Sequence, residues 1–287
     1  MRSTGRNIKL TIDNLIVSYD DEGAENAPTI IFIHGFPLNK SMWDMQREAL
    51  RDTYRVIAYD IRGHGNSEAG DVEFSIDLFV NDLLRLIDAL ELNNTILCGL
   101  SMGGYIALRT IENYPELFEA LILSDTQCMA DTSEGKGKRL TAIESIKENG
   151  VEQYADESIK NLFAAESFTT RIKEIATVKN MIVKVSQESL INTLHALASR
   201  EETCDKLEDI KMPVLIMVGS EDKITPSSAA QMMKEGITDS FLKVIAHAGH
   251  LANLENPSVF NHHVRKFLLR FAKNQFHYSE DSKKTLS

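Results

Sequence analysis

Ser101 lies in Gly99-Leu100-Ser101-Met102-Gly103, with Gly104 following. The run matches G-x-S-x-G, and its surroundings fit the motif: an apolar strand-like run ends at Leu100 and a helix is expected from Met102. Glycines flank the serine because a strand turning directly into a helix brings backbone segments too close for a β-carbon. Such a turn strains the serine backbone and lifts its hydroxyl out of the sheet, at a helix N-terminus that favours developing negative charge. A serine hydroxyl at neutral pH is a weak nucleophile, so it needs a base, and the base needs an orienting acid.

Eight histidines compete for the role of base. On a turn of this type the partners follow the serine in the order acid, then histidine, which removes His34 and His64. His195 falls in a helical stretch, His262 and His263 inside the last expected helix, and His277 in a polar tail. His247 and His250 remain, in Ala246-His247-Ala248-Gly249-His250 after the last apolar run. Gly249 allows a tight loop that brings His250 inward, so His250 is the expected base and His247 a residue of the rim. For the acid, the run Val214–Val218 is followed by Gly219-Ser220-Glu221-Asp222, where Glu221 or Asp222 could hold the imidazole. Asp125, after the run Ala120–Leu123, is a rival whose simpler role is to cap loop amides. In Ile33-His34-Gly35-Phe36-Pro37, the amide of Phe36 is expected to pair with that of Met102 as an oxyanion hole. His34 is expected to brace this loop, and Asp60 and Arg62 to fix the turn Asp60–Gly65. Neither G-x-G-x-x-G nor P-loop spacing occurs, so no phosphate site is expected.

These residues need a frame. Short runs rich in Ile, Val and Leu at Thr29–Ile33, Tyr54–Tyr59, Thr95–Leu100, Ala120–Leu123, Val214–Val218 and Phe241–Ile245 read as strands buried on both faces. Alternation over residues 8–19 around Asp13-Asn14 suggests an opening hairpin. Ile76, Phe79, Val80, Leu83, Ile87 and Leu90 form a helical stripe with Ser75 as N-cap. Phe260, Val264, Phe267, Leu268 and Phe271 form another after Asn256-Pro257. Alternating elements imply a mostly parallel sheet covered on both faces. From Met129 to Asp205 no strand-like run occurs, only helical segments such as Leu190–Ala198, which reads as a helical insertion.

The chain has 287 residues, 43% hydrophobic and 25% charged, with net charge -11. That balance is of a globular protein with a full core. Its acidity argues against a nucleic-acid surface or a membrane held by basic residues. No apolar stretch serves as a signal peptide or spans a bilayer. Cys98, Cys128 and Cys204 are few, odd in number and far apart, which reads as unpaired thiols in a reducing, cytoplasmic compartment. No His/Cys/Asp cluster has metal-ligand spacing.

HGFP at 34–37, DIRGHGNS at 60–67, GLSMGG at 99–104, GSED at 219–222 and AGH at 248–250 together resemble the α/β-hydrolase superfamily, nearest to bacterial serine esterases and enol-lactone hydrolases. The resemblance covers about residues 8–274, although the insertion carries no usable motif. It implies an α/β-hydrolase fold: a mostly parallel eight-stranded sheet flanked by helices, formed by residues 1–128 and 206–275, with a helical cap at 129–205; the polar composition of residues 276–287 reads separately as a disordered tail. It implies Ser101 as nucleophile, His250 as base, and Phe36 and Met102 as oxyanion amides. It also prefers Asp222 as the acid, since the family's acid stands three residues after the glycine. Phe36, Trp43 and Met102 are candidates to line an apolar acyl site. A serine at position 101 sets aside haloalkane dehalogenases and epoxide hydrolases, which use aspartate there. The expected substrate is a small ester or lactone, handled without cofactor or metal by a monomer or small homo-oligomer. Perhydrolysis of the non-haem haloperoxidase type and carbon–carbon hydrolysis use the same residues and stay open, as does a ligand-binding homologue without turnover.

Overall fold

The computed structural model describes residues 4–269 except residue 25; the expected tail at 276–287 and Phe271 of the last stripe lie outside the described residues. Strands β1 (Gly5–Ile12) and β2 (Leu15–Glu22) form the opening hairpin, turning through Asp13 and Asn14. Both turn residues have positive φ, 44° and 67°, a conformation that Asn and Asp tolerate better than most side chains. The remaining strands are β3 (Thr29–Ile33), β4 (Arg55–Tyr59), β5 (Thr95–Leu100), β6 (Phe118–Ser124), β7 (Val214–Gly219) and β8 (Ser240–Ile245). They lie in the order β1-β2-β4-β3-β5-β6-β7-β8, as one eight-stranded sheet. Pairing is antiparallel for β1–β2 and β2–β4 and parallel from there to β8. The expected eight-stranded, mostly parallel sheet is therefore present.

Helices cover both faces: α1 (Asp44–Leu50), α2 (Ile76–Ala89), α3 (Met102–Asn113), α4 (Ser133–Leu162), α5 (Ser167–Thr170), α6 (Ile172–Val183), α7 (Gln187–Ser199), α8 (Ser227–Gly236), α9 (Ala252–Glu255) and α10 (residues 257–269). Ser75 caps α2, its side chain accepting from the Leu78 amide at 3.0 Å. The α2 stripe of Phe79, Val80, Leu83 and Ile87 is buried in one core cluster with Ile31, Ile33 and Leu97, on one side of the sheet. Ile30, Phe32, Cys98 and Leu100, the alternate residues of the same strands, belong to the other cluster with Phe260 and Val264 of α10. The period-two split of each strand explains why these runs are apolar throughout: both faces are covered.

Helices α4 to α7 all fall between β6 and β7. Helix α4 is broken at Gly150 and packs against α6 and α7. Ile143, Ile146, Val185, Leu190 and Leu194 form a small core of their own there, against which Phe36 packs.

The cysteine reading is overturned. Cys128 and Cys204 are joined in a disulfide across 76 positions of sequence, while Cys98 is a buried free thiol. Backbone around the two half-cystines is already paired, with the Thr203 amide donating to the Cys128 carbonyl at 2.9 Å. The two residues flank the inserted helices and meet where the chain leaves the sheet and returns. The inference of a reducing compartment loses the support it drew from the thiols. Among the described residues no helix is long and apolar enough to cross a membrane.

Candidate active site

Strand β5 ends at Leu100 and α3 begins at Met102, which leaves Ser101 alone to make the turn, at φ 53° and ψ -116°. This backbone is unfavourable for any residue with a β-carbon and persists only where the surroundings enforce it. Here they do. The Ser101 amide donates to the Ser124 carbonyl at 3.0 Å, and the Ser101 carbonyl accepts from the Gly104 amide and from Thr126 Oγ1, both at 2.8 Å. A β-carbon on Gly99 would stand 2.2 Å from the Gly103 carbonyl oxygen, and one on Gly103 would stand 2.3 Å from that of Ile33. Both flanking glycines are thus required by close backbone approach. Ser101 itself is 8% exposed.

The loop after β3 runs alongside. Gly35 is so near that a β-carbon there would come within 3.3 Å of the Ser101 β-carbon. His34 fixes this loop as expected: its Nε2 accepts from the Ile61 amide at 2.9 Å, and its Nδ1 donates to the Gly35 carbonyl at 3.0 Å. Complete burial, with the neighbouring His64 adding to it, holds His34 far below the ordinary histidine range, at about 3, so the ring is neutral. Asp60 accepts from the amides of Lys40 and Asn66, each at 2.9 Å, and Arg62 binds Asp82 in bidentate fashion at 2.8 and 2.7 Å. These pairs hold the turn that the Ile61 amide belongs to. Among the described residues the amides of Phe36 and Met102 donate to no other protein group.

At the carboxyl end of β7, Asp222 and His250 meet, with the carboxylate Oδ2 2.9 Å from Nδ1. A carboxylate only accepts, so Nδ1 carries the hydrogen, which in the neutral ring leaves the lone pair on Nε2. Asp222 is further held by the amides of Ile224 and Thr225 on Oδ1, at 2.8 and 3.0 Å, and by Thr225 Oγ1 on Oδ2 at 2.7 Å. Burial alone would raise this carboxyl, but the facing His250 and the Thr225 hydrogen bonds outweigh it and hold Asp222 below its ordinary value. His250 and Asp222 are 2% and 6% exposed. No hydrogen bond joins the Ser101 hydroxyl to the His250 ring in this structure; such contacts commonly tighten only around bound substrate.

Glu221 is exposed, so of the two neighbouring acids only Asp222 faces the ring. Asp125 serves the loops, accepting from the Gly219 amide at 2.7 Å and the Ser124 hydroxyl at 2.6 Å. His247 lies at the exposed rim with Nδ1 3.1 Å from Glu166. Two expected pocket residues are corrected. Trp43 is fully buried against Phe32 and Phe260, ring centroids 4.8 and 6.2 Å away, because a short 3-10 turn at Lys40–Trp43 folds it under the sheet. The Met102 side chain is fully buried in the core beside α2; only its amide faces the turn. Phe36 is half-buried, edge-on to His64 at 6.0 Å and 6.4 Å from Tyr154 of α4.

Sequence reasoning missed Thr225, which locks the Asp222 carboxylate, and Glu255, a buried acid behind His250. Neither belongs to a short motif; the only sign of Glu255 was an acid closing the mostly apolar run Leu251-Ala252-Asn253-Leu254. Among the described residues no group of three or more His, Cys, Asp or Glu side chains could hold a metal ion.

Residues 30–262 match the model of the "Alpha/beta hydrolase family". The chain is 29% identical over 262 residues to 3-oxoadipate enol-lactonase 2 of Acinetobacter baylyi, covering 91% of this chain and 96% of that one. Among solved structures it is similar to a thermophilic esterase of Thermogutta terrifontis, with TM-score 0.87 and 30% identity over 93% of this chain and 99% of the other. It is also similar to the enol-lactonase of Burkholderia xenovorans LB400, with TM-score 0.85 and 25% identity over 91% and 100%. A match running through the sheet, the serine turn and the His250 loop means that the chain belongs to the alpha/beta hydrolase family.

Proposed function

We propose that the protein is a serine hydrolase that cleaves carboxylic esters, lactones included, through an acyl-enzyme on Ser101. The observation that carries this reading is the serine held in a strained turn at a helix N-terminus, at the same sheet edge as a buried carboxylate–imidazole pair. In the reaction, His250 Nε2 takes the Ser101 proton as Oγ attacks the substrate carbonyl carbon. The carbonyl oxygen becomes an oxyanion, received by the amides of Phe36 and Met102. His250 then passes its proton to the leaving alkoxide as the carbon–oxygen bond breaks. Water, deprotonated by the same nitrogen, releases the acid and regenerates Ser101. Asp222 keeps the ring in the right tautomer and stabilises its charged form.

In this reading residues 129–205 are a cap over a core made of residues 1–128 and 206–275. Contact of Phe36 with Tyr154 and with the small apolar core of the inserted helices supports this, and it gives the acyl side of the site an apolar ceiling. The similarity to enol-lactonase and esterase chains supports an ester or lactone as substrate.

A short-chain chromogenic ester tests the reading. Wild type should turn over, Ser101→Ala should fall by ~10⁴-fold or more, and an organophosphonate should label only the wild type. Equal turnover by the two proteins would refute it.

A further inference from the structure

Glu255 is a buried acid, 2% exposed, at the end of the short helix α9. It has no place in the ester-cleaving mechanism above, yet its two oxygens face different parts of the molecule. Oε1 accepts from the Gly249 amide at 2.8 Å, one residue before His250. Oε2 accepts from the Ala164 amide at 2.8 Å and from the Ser167 hydroxyl at 2.5 Å, both in the inserted segment. Two further bonds run along the same seam: the His250 amide donates to the Leu162 carbonyl at 3.0 Å, and Arg171 Nε donates to the Glu255 carbonyl at 2.8 Å. On its other side the His250 loop touches the acid loop, where the Glu221 amide donates to Ala248 at 2.8 Å.

We infer that Glu255 is a positioning residue that ties the loop carrying His250 to the inserted helices, so that the imidazole keeps its place against Asp222 only while the insertion is docked. This rests on the reading of His250 and Asp222 as the catalytic pair.

The donors around the side chain suit an ionised carboxylate. Every partner named is an N–H or O–H donor, and the three donors share two oxygens. Burial pushes the Glu255 carboxyl above its ordinary value, with the Ser167, Ala164 and Gly249 hydrogen bonds opposing. The fold thus keeps an unfavourably placed acid where a neutral side chain would be easier to bury. Glutamine is the informative replacement because it preserves shape. Whichever way its amide is turned, its NH₂ meets a backbone N–H, that of Gly249 or that of Ala164, and one buried donor is left without an acceptor.

The test compares wild type, Glu255→Gln and Ser167→Ala, each shown to be folded by circular dichroism and melting. Three measurements are made: the rate of Ser101 labelling by an organophosphonate, the steady-state kinetics on a chromogenic ester, and the downfield proton resonance of His250 Nδ1–H bonded to Asp222. Glu255→Gln should label 10- to 100-fold more slowly, lower kcat by the same factor with KM changed less than threefold, and lose or broaden the resonance. Ser167→Ala removes only a hydroxyl on the insertion side and should show the same effects at a few-fold. A folded Glu255→Gln protein with a wild-type resonance and a labelling rate within twofold of wild type would overturn the proposal. Because the resonance reads the ring without any turnover, a wild-type protein that hydrolyses no ester would count against the proposed function, while Glu255 would still be judged by its signal.

Discussion

Acidification should destabilise this protein through His34. The ring is buried and neutral, spends both nitrogens on backbone partners, and is held at about 3 against an ordinary value of 6.5. Between those two values the unfolded chain binds the proton and the folded one does not. Stability is therefore fully present above pH 6.5 and drains away as pH falls through that window. The slope is about 1.4 kcal/mol per pH unit for one such group, so His34 alone should remove ~2 kcal/mol between pH 7 and pH 5. His64, also held below its ordinary value by burial, acts in the same direction. The assay is urea unfolding at pH 7, 6 and 5 for wild type and His34→Gln. Glutamine can still accept from the Ile61 amide but cannot titrate, so the variant is expected to be less stable at pH 7 yet to lose ~2 kcal/mol less on going to pH 5. If the variant kept the wild-type pH slope, the argument from a buried neutral ring would be wrong.

Other consequences can be checked as directly. Ser101→Gly should remove turnover while raising stability by about 1 kcal/mol, since relief of the strained φ outweighs the added freedom of glycine in the unfolded chain; a melting temperature below that of wild type would contradict this. Arg62→Ala leaves Asp82 buried without its bidentate partner and should cost about 3–5 kcal/mol in urea unfolding, far more than loss of an exposed pair such as Arg85–Asp13. Replacing Cys128 and Cys204 by serine opens a loop of 76 positions, worth about 4 kcal/mol on loop entropy. Wild type in thiol reductant should melt with the double variant, and unchanged melting after mass spectrometry shows the bond opened would refute the estimate.

The sequence made the frame legible because both faces of the sheet are covered: β3, β5 and β7 are almost wholly apolar runs, and their ends mark the loops that carry the candidate site residues. The serine turn and the histidine loop were readable from glycines that the backbone cannot do without. Choosing Asp222 over Glu221 was different, since adjacent acids on a turn look alike until one knows which points inward. Trp43 was misread because an aromatic close to the Phe36 loop in sequence need not face the cleft. The disulfide was hidden by its span: Cys128 and Cys204 are neighbours only because β6 and β7 pair in register. Glu255 was hidden because its partners, Gly249 and Ala164, come from segments on opposite sides of β7 and β8.

The cystine has a mechanical meaning for whatever the inserted helices do. Both ends of that segment pass through one covalent knot, so it can tilt as a unit but its two tethers cannot splay apart. Thr126, which grips the carbonyl of Ser101, stands just upstream of the knot. A pull on the helices is taken up at the bond before it reaches that grip, much as a clamp on a cable protects the joint behind it.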